Sequence, residues 1–149
     1  MTMKPDSFII NGKGWHYLPN RIDQLLNKTF LNEAKRLPLE TFVVKPNKKY
    51  LFRGIGANMA FPIMISFNGH KINLVATDGN PIKPIENLDY VIINGGERYD
   101  FELVTRADSS SNFFVIVQAV ASFDYTFSPL TTDHYGIAIL KYETSDNLV

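Results

Sequence analysis

The chain has 149 residues, with 15 basic and 15 acidic side chains that give a formal net charge of zero at pH 7. A chain with balanced charge has no net positive charge to attract the phosphates of nucleic acid, so we expect no nucleic-acid partner. The sequence contains no cysteine, which excludes disulfides, zinc–thiolate sites, iron–sulfur clusters and a cysteine nucleophile. The length suits one domain, and we expect residues 1–149 to form it.

No apolar run approaches the roughly 18 residues of a membrane span, and we expect no membrane association. The first residues, MTMKPDS, lack the apolar stretch of a signal peptide. Two interpretations remain at this point: a cytosolic protein, or a mature chain or excised domain with an added start.

One early segment has helical spacing. A helix is predicted at Ile22–Lys35, with Asn20 as its N-cap and Pro38 as its stop. The alternative is a long loop with incidental leucines. The apolar residues behind the helical prediction are Ile22, Leu25, Leu26, Phe30 and Leu37.

The rest of the chain follows the period of two that is typical of strands, and turn-forming residues separate the runs. The clearest run is Arg98–Thr105, where alternate residues beginning with Tyr99 share one face. Eight or nine short strands predict an all-β sandwich or barrel. The predicted strands are Ser7–Ile10, Leu39–Val44, Lys49–Ile55, Phe61–Phe67, Lys71–Thr77, Asp89–Ile93, Arg98–Thr105, Asn112–Gln118 and Tyr135–Tyr142.

Several short motifs occur in a fixed order along the chain. They are FIINGKG at Phe8–Gly14, PLETF at Pro38–Phe42, LVATDG at Leu74–Gly79, GGERYDFELV at Gly95–Val104 and AILKYE at Ala138–Glu143. Together they resemble the second of the three cupredoxin-like domains of laccase-type multicopper oxidases. The resemblance implies a cupredoxin-like Greek-key β-sandwich or barrel, in which the helix near residues 22–35 is an insertion. A Pro-containing loop is expected at Pro81–Pro84.

The resemblance begins only near Asp6, and we therefore interpret the chain as a domain excised from a longer, secreted precursor. In the parent enzymes this position carries no copper, and the copper ligands lie in the first and third domains. A blue-copper site needs a cysteine as well as histidines. The histidines here are His16, His70 and His134, with no His-x-His pair. We predict no metal ligand and no cofactor in this domain, with copper in the parent enzyme; the alternative is an adventitious three-histidine site.

The same resemblance implies a role for one carboxylate. In laccases an acidic residue of this domain borders the phenol pocket, and Asp78 occupies a matching position. The alternative is a turn-forming aspartate before Gly79. We predict no catalytic residue, because Ser109-Ser110-Ser111 has no nucleophile elbow. Asn27 begins a glycosylation sequon and would be modified if the chain is secreted.

Two functional hypotheses follow. In the first, the domain holds the copper-bearing flanking domains in register, forms one wall of the phenol pocket, is inactive alone, and exposes an apolar patch for its neighbours. In the second, it is a stand-alone or repurposed structural module that self-associates through an edge strand or the face Ile22–Leu26–Phe30. The glycines Gly54 and Gly56, where the family has larger residues, are expected to weaken their strand.

Overall fold

The computed structural model describes residues 7–15, 39–59, 61–107, 111–121, 128–129 and 135–143. Within these ranges the chain is all-β, as predicted, and no helix in them is long and apolar enough to cross a membrane. The predicted helix Ile22–Lys35 lies outside the described residues. The same is true of His16, Asn27, Ser109 with Ser110, and His134.

The described ranges contain short strands with few turn residues between them. The strands are β1 (Phe8–Ile10), β2 (Lys13–Trp15), β3 (Thr41–Val44), β4 (Lys49–Ile55), β5 (Ile63–Phe67), β6 (Ile72–Thr77), β7 (Asn80–Leu88), β8 (Tyr90–Ile93), β9 (Arg98–Val104), β10 (Phe113–Ala121), β11 (Ser128–Pro129) and β12 (Tyr135–Tyr142). Each predicted strand is present, with ends that move by a few residues.

One prediction is wrong. The segment around Pro81 and Pro84 was expected to be a loop. It instead forms β7, which at nine residues is as long as β10. β7 is the last strand of its sheet. Proline is tolerated there because an edge strand does not need every backbone N–H for pairing.

The strands form two main sheets and a hairpin. One sheet has four strands in the order β4-β9-β6-β7, and the other has the order β3-β12-β10-β5-β8 with β11 beside β10. β1 and β2 form the hairpin. β3 lies parallel to β12, and the other pairings are antiparallel. β3 and β4 are consecutive in the chain and are connected by one turn, but they belong to different sheets.

The core lies between the two sheets and consists of side chains from alternate residues of the strands. In β9, Phe101 and Leu103 are almost fully buried, as the alternation predicted. Phe52 of β4 lies 4.9 Å, ring centre to ring centre, from Phe67 of the opposite sheet and 5.9 Å from Phe101. Each such aromatic pair adds about 0.5–1.5 kcal/mol beyond the burial of its surface.

The outer face of the second sheet carries a smaller apolar cluster. Leu39, Tyr135 and Ile137 are buried in it, with Phe114 and its neighbours packed alongside. β12 is consequently buried on both faces, because its alternate residues Ala138 and Leu140 belong to the main core. A strand buried on both faces shows a continuous apolar run instead of alternation.

Gly54 in β4 and Gly56 directly after β4 have a packing role. β4 pairs with β9 without interruption from Lys49 to Ile55, so Gly54 does not break it. A Cβ atom at Gly54 would lie 2.7 Å from Cδ1 of Ile93, and one at Gly56 would overlap the carbonyl oxygen of Asn94. The glycines therefore allow the end of β4 to approach the turn after β8 closely.

We predict that Gly56→Ala lowers the free energy of unfolding by about 1–3 kcal/mol, because the added methyl group would overlap the Asn94 carbonyl oxygen, which can shift only with its backbone. Gly54→Ala is the matched control, and its effect should be smaller since the atom it meets ends a flexible side chain. Urea unfolding of both variants measures the difference. Equal losses would contradict the close-approach explanation.

Candidate functional site

Asp78 lies in the two-residue turn that joins β6 to β7. Asp78 and Gly79 have φ angles of 49° and 83°, and the flanking residues Thr77 and Asn80 pair across the hairpin. Two positive φ angles in a two-residue loop are typical of the type I′ turn. The side chain of Asp78 is exposed at the tip of this turn.

The Asp78 turn is tied to the start of β9. Oδ1 of Asp78 accepts a hydrogen bond of 2.9 Å from the backbone N–H of Arg98, and the Asp78 N–H donates to the Arg98 carbonyl at 2.6 Å. Through these bonds Asp78 stabilises the turn, which is the alternative role that the sequence analysis gave for it. The second carboxylate oxygen, Oδ2, is bonded to no residue that the structure describes, and it is therefore available to accept a hydrogen bond from outside.

A tyrosine and a second carboxylate stand beside the turn. Burial, followed by the interaction with Glu97 and the charge of Asp78, raises the pKa of Tyr99 above its ordinary value. Oε2 of Glu97 accepts from the backbone N–H and side-chain amide of Asn94, both at 3.0 Å. At neutral pH Tyr99 is thus protonated. We refer to Asp78, Glu97 and Tyr99 as the acidic turn cluster.

His70 is buried and engaged at both ring nitrogens. Nδ1 lies 2.8 Å from the carbonyl oxygen of Asn68, and Nε2 lies 2.6 Å from the hydroxyl of Tyr142, which accepts from the Arg106 N–H at 2.8 Å. The Asn68 carbonyl can only accept, so Nδ1 carries the proton and the Tyr142 hydroxyl donates to Nε2. His70 therefore links the turn after β5 to β12. Among the described residues, no three His, Asp or Glu side chains are placed to hold a metal ion.

A groove that sequence reasoning missed lies between β3 and β4. Its volume is about 570 Å³, and it is lined by β1, β3, β4 and β5 together with core residues such as Phe101. Four of its apolar lining residues are themselves exposed: Ile9 (70%), Val43 (55%), Leu51 (52%) and Ile55 (64%). We call it the β3–β4 groove. The signal in the sequence was the pair Leu51 and Ile55, which are apolar at the outward positions of β4.

Comparison with known proteins shows the family. The multicopper oxidase family model matches residues 1–145. Laccase-2 of Fomitopsis schrenkii is 29% identical over 148 residues, which cover 92% of this chain and 27% of that protein. The iron transport multicopper oxidase FET3 of Gibberella zeae is 32% identical over 132 residues, covering 88% of this chain and 19% of that protein. The chain thus spans about a fifth to a quarter of the length of these relatives.

Solved structures show the same fold. The crystal structure of Fet3p, described as a multicopper oxidase that functions in iron import, superposes on 74% of this chain with a TM-score of 0.57 at 18% identity, and the match covers 23% of Fet3p. The laccase from Botrytis aclada covers 73% of this chain, through 19% of its own length, with a TM-score of 0.55 at 19% identity. The sandwich is therefore cupredoxin-like, as the motifs predicted.

We predict that Tyr142→Phe lowers the free energy of unfolding by about 1–3 kcal/mol, because it removes the donor to Nε2 of buried His70. Tyr50→Phe is the control, since the Tyr50 hydroxyl accepts from Lys45 N–H in an exposed position; it should cost about 0.5 kcal/mol or less. Thermal or urea unfolding of both variants is the measurement. A Tyr142→Phe protein as stable as the control would contradict the assigned hydrogen-bond network.

Proposed function

This chain belongs to the multicopper oxidase family, and we propose that it is the copper-free middle domain of a laccase-like enzyme of that family. The observation that supports the proposal is a family match over residues 1–145 in a sequence without cysteine. A blue-copper centre requires a cysteine thiolate. A family member of this composition would serve the enzyme as a scaffold and leave copper binding to its neighbours.

The proposed domain consists of residues 1–149 within a longer, secreted polypeptide. The relatives support this view, because the chain covers only 27% of Laccase-2 and 19% of FET3. The flanking cupredoxin domains would then be the partners of this domain. Its role is to hold them in register, and a secreted polypeptide would allow glycosylation at Asn27. Copper bound in those domains would supply the electron-accepting chemistry.

We also propose that the acidic turn cluster forms part of the wall of a phenol pocket. Loss of an electron makes a phenolic hydroxyl strongly acidic, so a carboxylate that accepts its proton promotes the oxidation. Asp78 suits this role because Oδ1 is held by Arg98 N–H, while Oδ2 accepts no hydrogen bond from the described residues. The rigid turn and the hydrogen bond hold the carboxylate in one orientation before a phenol arrives.

Copper loading of the purified chain tests the copper-free assignment. After loading and exhaustive dialysis, elemental analysis should find well below one equivalent of copper per chain, since a thiolate ligand is lacking. The isolated chain should also show no oxidation of phenols. Stoichiometric, tightly held copper would contradict the proposal and direct attention to His16, His70 and His134.

Substitution of Asp78 in the full-length polypeptide tests the pocket role. Asp78→Asn keeps an oxygen that accepts from Arg98 N–H but removes the base, so kcat/KM for a phenol should fall by about 100-fold. A reductant that releases no proton, such as ferrocyanide, is the control substrate and should be oxidised at the unaltered rate. If both rates are unchanged, or if both fall together, Asp78 is a turn former and no more.

A further inference from the structure

The two edge strands of the four-stranded sheet differ in how they resist pairing with other chains. β7 carries Pro81 and Pro84, and its register with β6 shifts twice, between Ile72 and Leu74 and between Leu74 and Ala76. Prolines and bulges are the usual devices that prevent an edge from adding another strand. β4 contains no proline and pairs with β9 in regular register over its whole length.

The backbone of β4 presents an open edge. Lys48 accepts from Thr105 N–H at 2.8 Å, and Gly56 donates to the Glu97 carbonyl at 2.9 Å. Backbone groups alternate in direction along an antiparallel strand. Even-numbered residues of β4 therefore bond to β9, and the N–H and C=O groups of Leu51 and Arg53 point the other way. No strand in the described ranges pairs with that side of β4.

The surface beside this edge has exposed apolar residues, and its two cationic side chains are paired with carboxylates. Four apolar residues that border the β3–β4 groove are exposed: Ile9, Val43, Leu51 and Ile55. The two cations on the outer face of β4 are already paired across the sheet, Lys49 with Glu102 at 2.9 Å and Arg53 with Asp100 at 3.8 Å. An occupant of this groove therefore meets apolar carbon and unpaired backbone groups, with no net charge to attract an ion.

A small molecule is a poor occupant of such a surface. Ligand pockets combine apolar walls with a few convergent polar groups. In the β3–β4 groove the Tyr50 hydroxyl already accepts from Lys45 N–H at 2.8 Å, and Arg53 is paired with Asp100. Exposed apolar patches of this kind mark contacts with another polypeptide surface.

We infer that the β3–β4 groove and the open edge of β4 dock an extended apolar segment of a flanking cupredoxin domain of the same polypeptide. The segment adds its backbone to β4 at Leu51 and Arg53, and its side chains cover the exposed apolar residues of the groove. The occupant is intramolecular because roughly three-quarters or more of the length of the relatives lies outside the part that this chain matches. The inference rests on the proposed function, since it takes its occupant from a flanking domain.

Hydrogen exchange measured by mass spectrometry or NMR tests the docking edge directly. Amide exchange at Leu51 and Arg53 should be at least about 10-fold slower in the full-length polypeptide than in the isolated 149-residue chain, because pairing with a new strand protects both amides. Exchange at Ile85 on the proline-containing edge should be equal in the two samples. Equal exchange at Leu51 and Arg53 in the two samples would overturn the inference.

A matched pair of variants adds a second readout. Leu51 and Ile85 are 52% and 50% exposed and lie on the two edges of one sheet. Leu51→Glu should abolish the extra protection at Arg53 in the full-length polypeptide. It should lower the urea midpoint of the isolated chain only slightly, because the new carboxylate lies opposite Glu102 on the exposed face of the sheet. Ile85→Glu should alter neither quantity. Protection that survives Leu51→Glu would overturn the apolar part of the inference.

The outcomes separate this inference from the proposed function. A native reading frame without His-x-His and His-Cys-His domains would defeat the proposed function and remove the occupant with it. A frame that has those domains, combined with unprotected β4 amides, would defeat the docking inference alone. If light scattering shows that the isolated chain forms an oligomer that Leu51→Glu dissociates, the occupant is a second copy of the chain and the inference is wrong.

Discussion

The structure depends on the position of one side chain, Phe52. Its ring contacts Phe101 within its own sheet and Phe67 of the opposite sheet, and it also lies 5.3 Å from Phe42 of β3. The half-buried ring of Phe52 contacts both layers of the sandwich, although β4 hydrogen-bonds to only one of them. The contacts of this ring with β3 and with the opposite sheet therefore fix the position of β4 relative to β3.

The ends of the sandwich are organised by hydrogen bonds instead of by apolar contacts. At one end the Asp78 turn is bonded to Arg98, and Glu97 is bonded to Asn94. At the other, His70 bonds to Asn68 and to Tyr142. Turns that are bonded to a neighbouring strand lose little further entropy when a ligand or a domain binds to them. The same bonds that stabilise the fold thus prepare its ends for contact.

The chain combines a complete core with an incomplete edge. The main core joins buried residues of both sheets in one apolar cluster, so the described part of the chain has the interior of an independent unit. The β4 edge has an apolar rim and no described strand beside it, whereas the β7 edge is interrupted by Pro81 and Pro84. A fold that protects one edge and leaves the other open is suited to assembly in a single direction. That asymmetry agrees with the proposed role as a middle domain of a longer enzyme.

The sequence by itself determined most of the strands and turns, because both depend on local chemistry. β9 was predicted to within a residue from alternating side chains, and the Asp78-Gly79 turn from residues that accept positive φ angles. β7 was missed because its prolines favour a loop unless the strand lies at an edge, and edge position is a property of the sheet. The bond from Asp78 to Arg98, the burial of His70 and the β3–β4 groove were decided only by the tertiary structure. Each depends on which distant strands become neighbours, as when β3 pairs with β12 almost 100 residues later.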